Sequence, residues 1–178
     1  WHRTMVEGQD IDMDKIGKMA RNNQPGIIVV DRTITSDWEN YTTPEQAIPN
    51  KVLPNPWESC LTIGDHWSYV PNDNYKSTKT LIETLGKIIT RGGNYLLNIA
   101  PSPDGDFAPE AYQRLQELSK WVNINQSAIY NTRTLAPYQD GDYYYTRSKD
   151  AKTINVFHLS DGADYQKPDT FAFALPSD

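Results

Sequence analysis

Three short apolar runs constrain this chain more than any other feature: IIVV at 27–30, CLTI at 60–63 and NYLLNIA at 94–100. A continuous apolar run offers no polar face to water. It therefore reads as a strand buried on both sides, the condition of a parallel sheet covered by helices. Helical patterns stand between and around these runs. Residues 10–22, DIDMDKIGKMARN, carry Ile11, Ile16, Met19 and Ala20 at helical spacing, with Asp12 placed to cap. Residues 76–91, KSTKTLIETLGKIITR, put Leu81, Ile82, Leu85, Ile88 and Ile89 on one face, and Gly92-Gly93 ends the pattern. A third helix is expected over 109–124, with Leu115, Leu118, Trp121 and Val122 inward. The order is helix, strand, long loop, strand, helix, strand, loop, helix. Such alternation predicts parallel βα units, an α/β architecture.

The long loop, ENYTTPEQAIPNKVLPNPWESC at 39–60, contains four prolines and three glutamates and is too broken for a helix. It reads as a rigid, extended loop. After Tyr130 the texture changes. DYYYTR, TINVFHL and TFAFAL are short β-rich runs separated by SKDAK and DGADYQKP, the pattern of antiparallel strands. Two units are expected, 1–135 and 136–178.

A net charge of −6 argues against nucleic acid and anionic membrane surfaces as partners. Eleven Tyr and five Trp on an acidic chain suit sugars, whose C–H faces stack on aromatic rings, although most such residues simply pack. The single Cys60 excludes an internal disulfide framework and a Cys-rich metal site. No apolar stretch has the length of a membrane span. A chain that opens on Trp1 rather than Met is expected to continue upstream, where an export signal could lie. The sequons at Asn40 and Asn125 carry little weight.

In a (β/α) barrel the working residues sit at the C-terminal ends of strands and in the loops beyond them. Asp31 and Arg32 end the first run, and Glu45 follows in the proline-rich loop. Glu58 stands just ahead of the second run, a place that favours a structural role. His66 and Trp67 follow that run, and Asn98 ends the third. Each has an ordinary reading too. Strand-end Asp-Arg pairs are usually structural ion pairs, loop glutamates are usually solvated, and Trp67 could equally be a core residue. The three histidines lack metal-ligand spacing, no nucleophile motif lies near His66, and PDGD and DGDY lack the full ligand pattern of a calcium loop.

Taken in order, QPGIIVVDR, ENYTTPEQAIP, PWESCLTI, HWSYVPNDNYKS, LIETLGKIITRGGNYLLNIAPSPDGDF and RLQELSKWVNINQSAIYNTR strongly resemble the α-L-fucosidases of glycoside hydrolase family 29. The likeness runs to about residue 135. It implies the second half of a (β/α)8 barrel of the TIM type, followed by the beginning of an antiparallel β-sandwich. It also implies a retaining exo-glycosidase for terminal α-L-fucose that needs no metal or organic cofactor. The partner would be a fucosylated oligosaccharide or glycoconjugate, with no nucleic acid and no membrane insertion. The compartment would be extracellular or periplasmic, or lysosomal in a eukaryote.

The resemblance places the general acid/base at Glu45, in T-P-E-Q, with Glu58 as the alternative. It sets Arg32 near the nucleophile and sugar ring, and Trp67 against the apolar C5-methyl face of fucose. The family's nucleophile is an Asp in a W-x-D-G type of motif, which this sequence lacks; Asp10, Asp12 and Asp14 on the first helix are poor substitutes. The expectation is a chain that is inactive by itself and depends on the other half of its barrel to fold, because half a parallel barrel leaves sheet edges open.

Overall fold

The computed structural model describes residues 12–31, 37–160, 170 and 172. The first helix, α1, spans Met13–Asn23, and the Asp12 carboxylate accepts from the Lys15 amide as the expected cap. Its apolar positions behave differently from expectation. Ile16 and Met19 are exposed among the described residues, and Gly17 is the one buried position. The helix is held by its polar groups, with the Trp38 indole N–H donating to Asp14 and Arg21 donating to Trp38 O and Asn40 Oδ1.

Four parallel segments follow. Strand β1 (Val30–Asp31) pairs with β2 (Tyr41–Thr42), and β3 (Glu58–Thr62) pairs with β4 (Asn94–Asn98). Single parallel bridges, Thr42 to Trp57 and Glu45 to Cys60, join the two pairs into one wall. Strand β2 falls inside the segment expected to be a loop, so the proline-rich stretch is part of the sheet. Proline explains why the pairing is interrupted. Thr42 N donates to Pro56 O and Gln46 N to Cys60 O, while Cys60 N donates to Pro44 O. The rung between the first two would need an N–H at Pro44, which proline lacks. The expectation of a fully buried strand over 27–30 also needs correction: only Val30 joins a strand, and Ile28 is 70% exposed.

Helices cover one side of this wall. Helix α2 (Thr78–Thr90) is capped by Ser77, whose hydroxyl accepts from Thr80 N. It ends in a Schellman motif: Gly92 N donates to Ile89 O and Gly93 N to Ile88 O, with Gly92 at a φ of 82° that suits glycine. Helix α3 (Pro109–Ile129) runs one turn further than the periodicity predicts. Trp57, Leu61 and Ile88 form one core cluster, and Ile63, Leu81 and Ala111 a second one extended by Leu97 and Leu115. Leu81 and Ile88 are fully buried, each contributing about 1.5–3 kcal/mol of transfer free energy.

Beyond α3 three strands form an antiparallel sheet in the order β5 (Thr132–Asp140), β6 (Tyr143–Ser148) and β7 (Ile154–His158). The runs at 142–147 and 153–159 were legible as strands. Strand β5, with Pro137 and a register shift between Thr134 and Gln139, was not. The run TFAFAL lies almost wholly outside the described residues. Tyr144, Phe157 and Leu159 pack this sheet on Ile89, Trp121 and Ala128 of the two preceding helices.

Candidate active site

Strand alternation sorts the wall into two faces. On β3 and directly beside it, Trp57, Leu61 and Ile63 turn to the helices. Glu58 and Cys60 turn the other way, where they meet Val30, Tyr41, Thr43, Glu45, Trp67 and Leu96 around a cavity of about 500 Å³. The register explains why these residues converge. Glu45 lies opposite Cys60, and Cys60 lies opposite Leu96, so one row crosses three segments. Glu58 sits two residues earlier on β3, on the same face. Cα atoms of Glu45 and Glu58 are therefore about 8 Å apart, from a rise of ~3.3 Å per residue and a strand spacing of ~4.8 Å.

Three of the four site residues expected from the sequence thus share one cavity: Glu45, Glu58 and Trp67. Arg32 lies outside the described residues, and of Asp31 only the backbone pairing with Thr42 is described. Glu58 is the first residue of β3 rather than a residue ahead of it, and its side chain lines the cavity. Glu45 stands one pair further toward the C-terminal edge, the edge at which barrel chemistry is carried out. Sequence reasoning passed over Tyr41, Thr43, Cys60 and Leu96. The alternation in E-S-C would have signalled that Glu58 and Cys60 share a face.

Trp67 is carried by the loop that leaves β3. It is 40% exposed, so its ring is available to a ligand. Its backbone carbonyl accepts from Asn98 Nδ2 at 2.9 Å, at the end of β4. Asp73 closes the loop from inside: its carboxylate accepts from the amides of Asp65, His66 and Asn74 and meets His66 Nδ1 at 2.8 Å. Burial raises the Asp73 pKa, but the His66 bond and the three amides outweigh it and hold the carboxyl below its ordinary value. His66 is thus a loop brace with its ring on Asp73. Lys76 holds the strand exit, donating to Thr62 O at 2.6 Å and Gly64 O at 2.7 Å. Desolvation lowers its pKa, opposed by Asp65 and Asp73.

Two other cavities lie among the described residues. The larger, about 890 Å³, lies at the opposite end of the wall, around Gly93 and Asn94 where β4 begins, and its lining among the described residues includes Arg91, Arg133 and Lys149 but no carboxylate. One of about 560 Å³ gathers Tyr69, Tyr75 and Phe107 with Asp73, Asp104 and Glu110. Among the described residues no group of three His, Cys, Asp or Glu is placed to hold a metal ion. No described helix is long and apolar enough to cross a membrane.

Known proteins share this arrangement of segments. A family model described as Alpha-L-fucosidase matches residues 1–127. The plasma alpha-L-fucosidase of Homo sapiens is 31% identical over 126 residues, which cover 67% of this chain and 27% of that protein. Alpha-L-fucosidase isoenzyme 1 from Paenibacillus thiaminolyticus superposes with a TM-score of 0.68 at 27% identity, over 76% of this chain and 36% of its own. A GH29 alpha-L-fucosidase from Bacteroides thetaiotaomicron superposes with a TM-score of 0.63 at 25% identity, over 77% and 36%. That structure is a trapped covalent intermediate with 2-fluoro-fucosyl fluoride in a glutamate-to-glutamine variant. The chain spans 27% of the length of the human relative it matches.

Proposed function

Because the chain belongs to the alpha-L-fucosidase family, we propose that the protein carrying it is a retaining exo-glycosidase that removes terminal α-L-fucose from glycans. The observation that carries this reading is the convergence of Glu45, Glu58 and Trp67 on one cavity. In the retaining mechanism a carboxylate attacks the anomeric carbon while a carboxylic acid protonates the departing oxygen. The same acid, now a base, then activates water against the glycosyl-enzyme.

Glu45 takes the acid/base role. It lies nearer the C-terminal edge of the wall than Glu58 and follows Pro44, whose fixed φ limits its backbone freedom. The trapped intermediate of the Bacteroides relative, obtained with a glutamine in place of a glutamate, supports a glutamate acting with a separate nucleophile. With no W-x-D-G motif in this sequence, the nucleophile belongs to the part of the enzyme that these residues do not represent. Trp67 packs on the C5-methyl face of the sugar, and the family resemblance gives Arg32 the role of keeping the nucleophile ionised. The parallel wall with its helices is the later half of a (β/α)8 barrel, and the antiparallel sheet that begins with β5 at Thr132 opens a β-sandwich. The substrate is a fucosylated oligosaccharide or glycoconjugate met outside the cell, in the periplasm or in a lysosome, in keeping with relatives named plasma and tissue fucosidases. Glu58 provides the second reading, as acid/base in place of Glu45, because it lines the same cavity.

The test uses the full-length enzyme. Glu45→Ala should lower kcat/KM on a fucosyl disaccharide by about 10²–10⁴-fold, the usual worth of general acid–base catalysis. An aryl α-L-fucoside with a good leaving group should be spared, and azide should restore turnover. If Glu45→Ala behaves like the parent and Glu58→Ala shows this pattern, the role belongs to Glu58. Loss in neither variant, or no turnover of any α-L-fucoside by the parent, overturns the assignment.

A further inference from the structure

The two loops that bring Glu45 and Trp67 to the cavity are tied to a single buried hydroxyl at the end of β3. Thr62 is 1% exposed, and its hydroxyl uses its whole hydrogen-bonding capacity. It donates to Gly64 O at 2.6 Å, at the start of the loop carrying Trp67. It accepts from Gln46 Nε2 at 3.2 Å, from the residue directly after Glu45. Its second lone pair accepts from Lys76 Nζ at 3.1 Å, and the same ammonium holds Thr62 O and Gly64 O.

The neighbours leave this junction little freedom. Gln46 has a φ of 50°, a left-handed backbone that a non-glycine residue keeps only when its surroundings fix it. Its amide also donates to Cys60 O at 3.0 Å. On the other side, a Cβ on Gly64 would fall 2.3 Å from Asp73 Oδ2, so the loop closes tightly on its brace. Backbone and side-chain bonds therefore run without a break from Glu45-Gln46 through Thr62 to Gly64, Asp73 and the Trp67 loop.

We propose that Thr62 is a positioning residue for the hydrolytic reaction, the hub that fixes the separation of Glu45 from Trp67 across the sugar. The proposal rests on the acid/base reading of Glu45. A hub of this kind acts on proton delivery, since an acid displaced from the leaving oxygen loses its effect where the leaving group is poor. A hydroxyl that only stabilised the fold would change the amount of active enzyme and so scale all substrates alike.

The experiment compares kcat/KM on a fucosyl disaccharide and on 2,4-dinitrophenyl α-L-fucoside in the full-length enzyme. Thr62→Val should lose about 10–100-fold on the disaccharide, the scale of a misplacement near 1 Å, and under about threefold on the activated substrate. Thr62→Ser, which keeps the hydroxyl, should restore the disaccharide rate. Gln46→Ala, at an exposed residue, should reproduce the selective loss and decides the matter if Thr62→Val does not fold. Equal losses on both substrates, or none, in the folded variants overturn the proposal. Glu45→Ala serves as the control: if it shows no dependence on leaving group, the reading of Glu45 has failed. If Glu45→Ala shows that dependence and the Thr62 and Gln46 variants do not, the hub alone has failed.

Discussion

The parallel wall and the antiparallel sheet solve the same burial problem in opposite ways. In the sheet each strand finds its partner within a short turn, β6 lies between β5 and β7, and the apolar residues press onto α2 and α3. Tyr144, Tyr145 and Phe157 are all buried. The wall is built from segments far apart in sequence, and among the described residues its core clusters lie on the helix side. On its other side Leu96 is 41% exposed beside Glu45, Glu58 and Cys60. Packing is thus concentrated on one face and the candidate site on the other. Neighbouring residues of one strand, Leu96 and Leu97, belong to different systems, because the strand period is two.

Substitutions can break this division. The largest effect is expected at Trp57, which is 1% exposed, packs on Leu61 and Ile88, and donates its indole N–H to Arg91 O. Trp57→Ala should cost about 3–5 kcal/mol in urea unfolding. The strand pair gives the direct contrast. Leu97→Ala should cost about 2–3 kcal/mol, whereas Leu96→Ala should cost under about 1 kcal/mol and act mainly on KM. Comparable stability losses for the two would mean that the cavity face is as tightly covered as the helix face.

A smaller effect comes from pH. Asp73 titrates below its ordinary value in the folded protein, so its contribution is present above the unfolded carboxyl pKa and is lost as pH falls through the folded one. Loosening of the Trp67 loop should begin below about pH 4. Amide hydrogen exchange at 65–74 should detect it, and Asp73→Asn should abolish the pH dependence. The smallest change is expected in the antiparallel sheet. The Tyr145 hydroxyl is buried with no hydrogen-bond partner among the described residues, so Tyr145→Phe should alter stability by no more than about 0.5 kcal/mol or raise it slightly.

What could be read from the sequence follows the same physical line. Helix α2 and strands β3 and β4 were legible because five apolar positions at helical spacing and two continuous apolar runs have few alternatives. Strand β2 was hidden because Pro44 removes a rung and the surrounding prolines imitate a loop. The exposure of Ile16 and Met19 was equally hidden, since periodicity gives a helix an apolar face without saying what covers it. At the site, Glu45, Glu58 and Trp67 could be named from their motifs, but their convergence depends on the register of β2 against β3. The Thr62 junction left no trace, because its bonds to Gln46, Lys76 and Gly64 follow no fixed spacing.

As the proposed acid/base, Glu45, and not Glu58, should face the bond to be broken. The most direct measurement is a crystal structure of the full-length enzyme with an unhydrolysed fucoside bound. The Glu45 carboxyl should lie within about 3 Å of the glycosidic oxygen, with Trp67 against the C5-methyl group. A complex with Glu58 on that oxygen and Glu45 turned away would contradict the assignment.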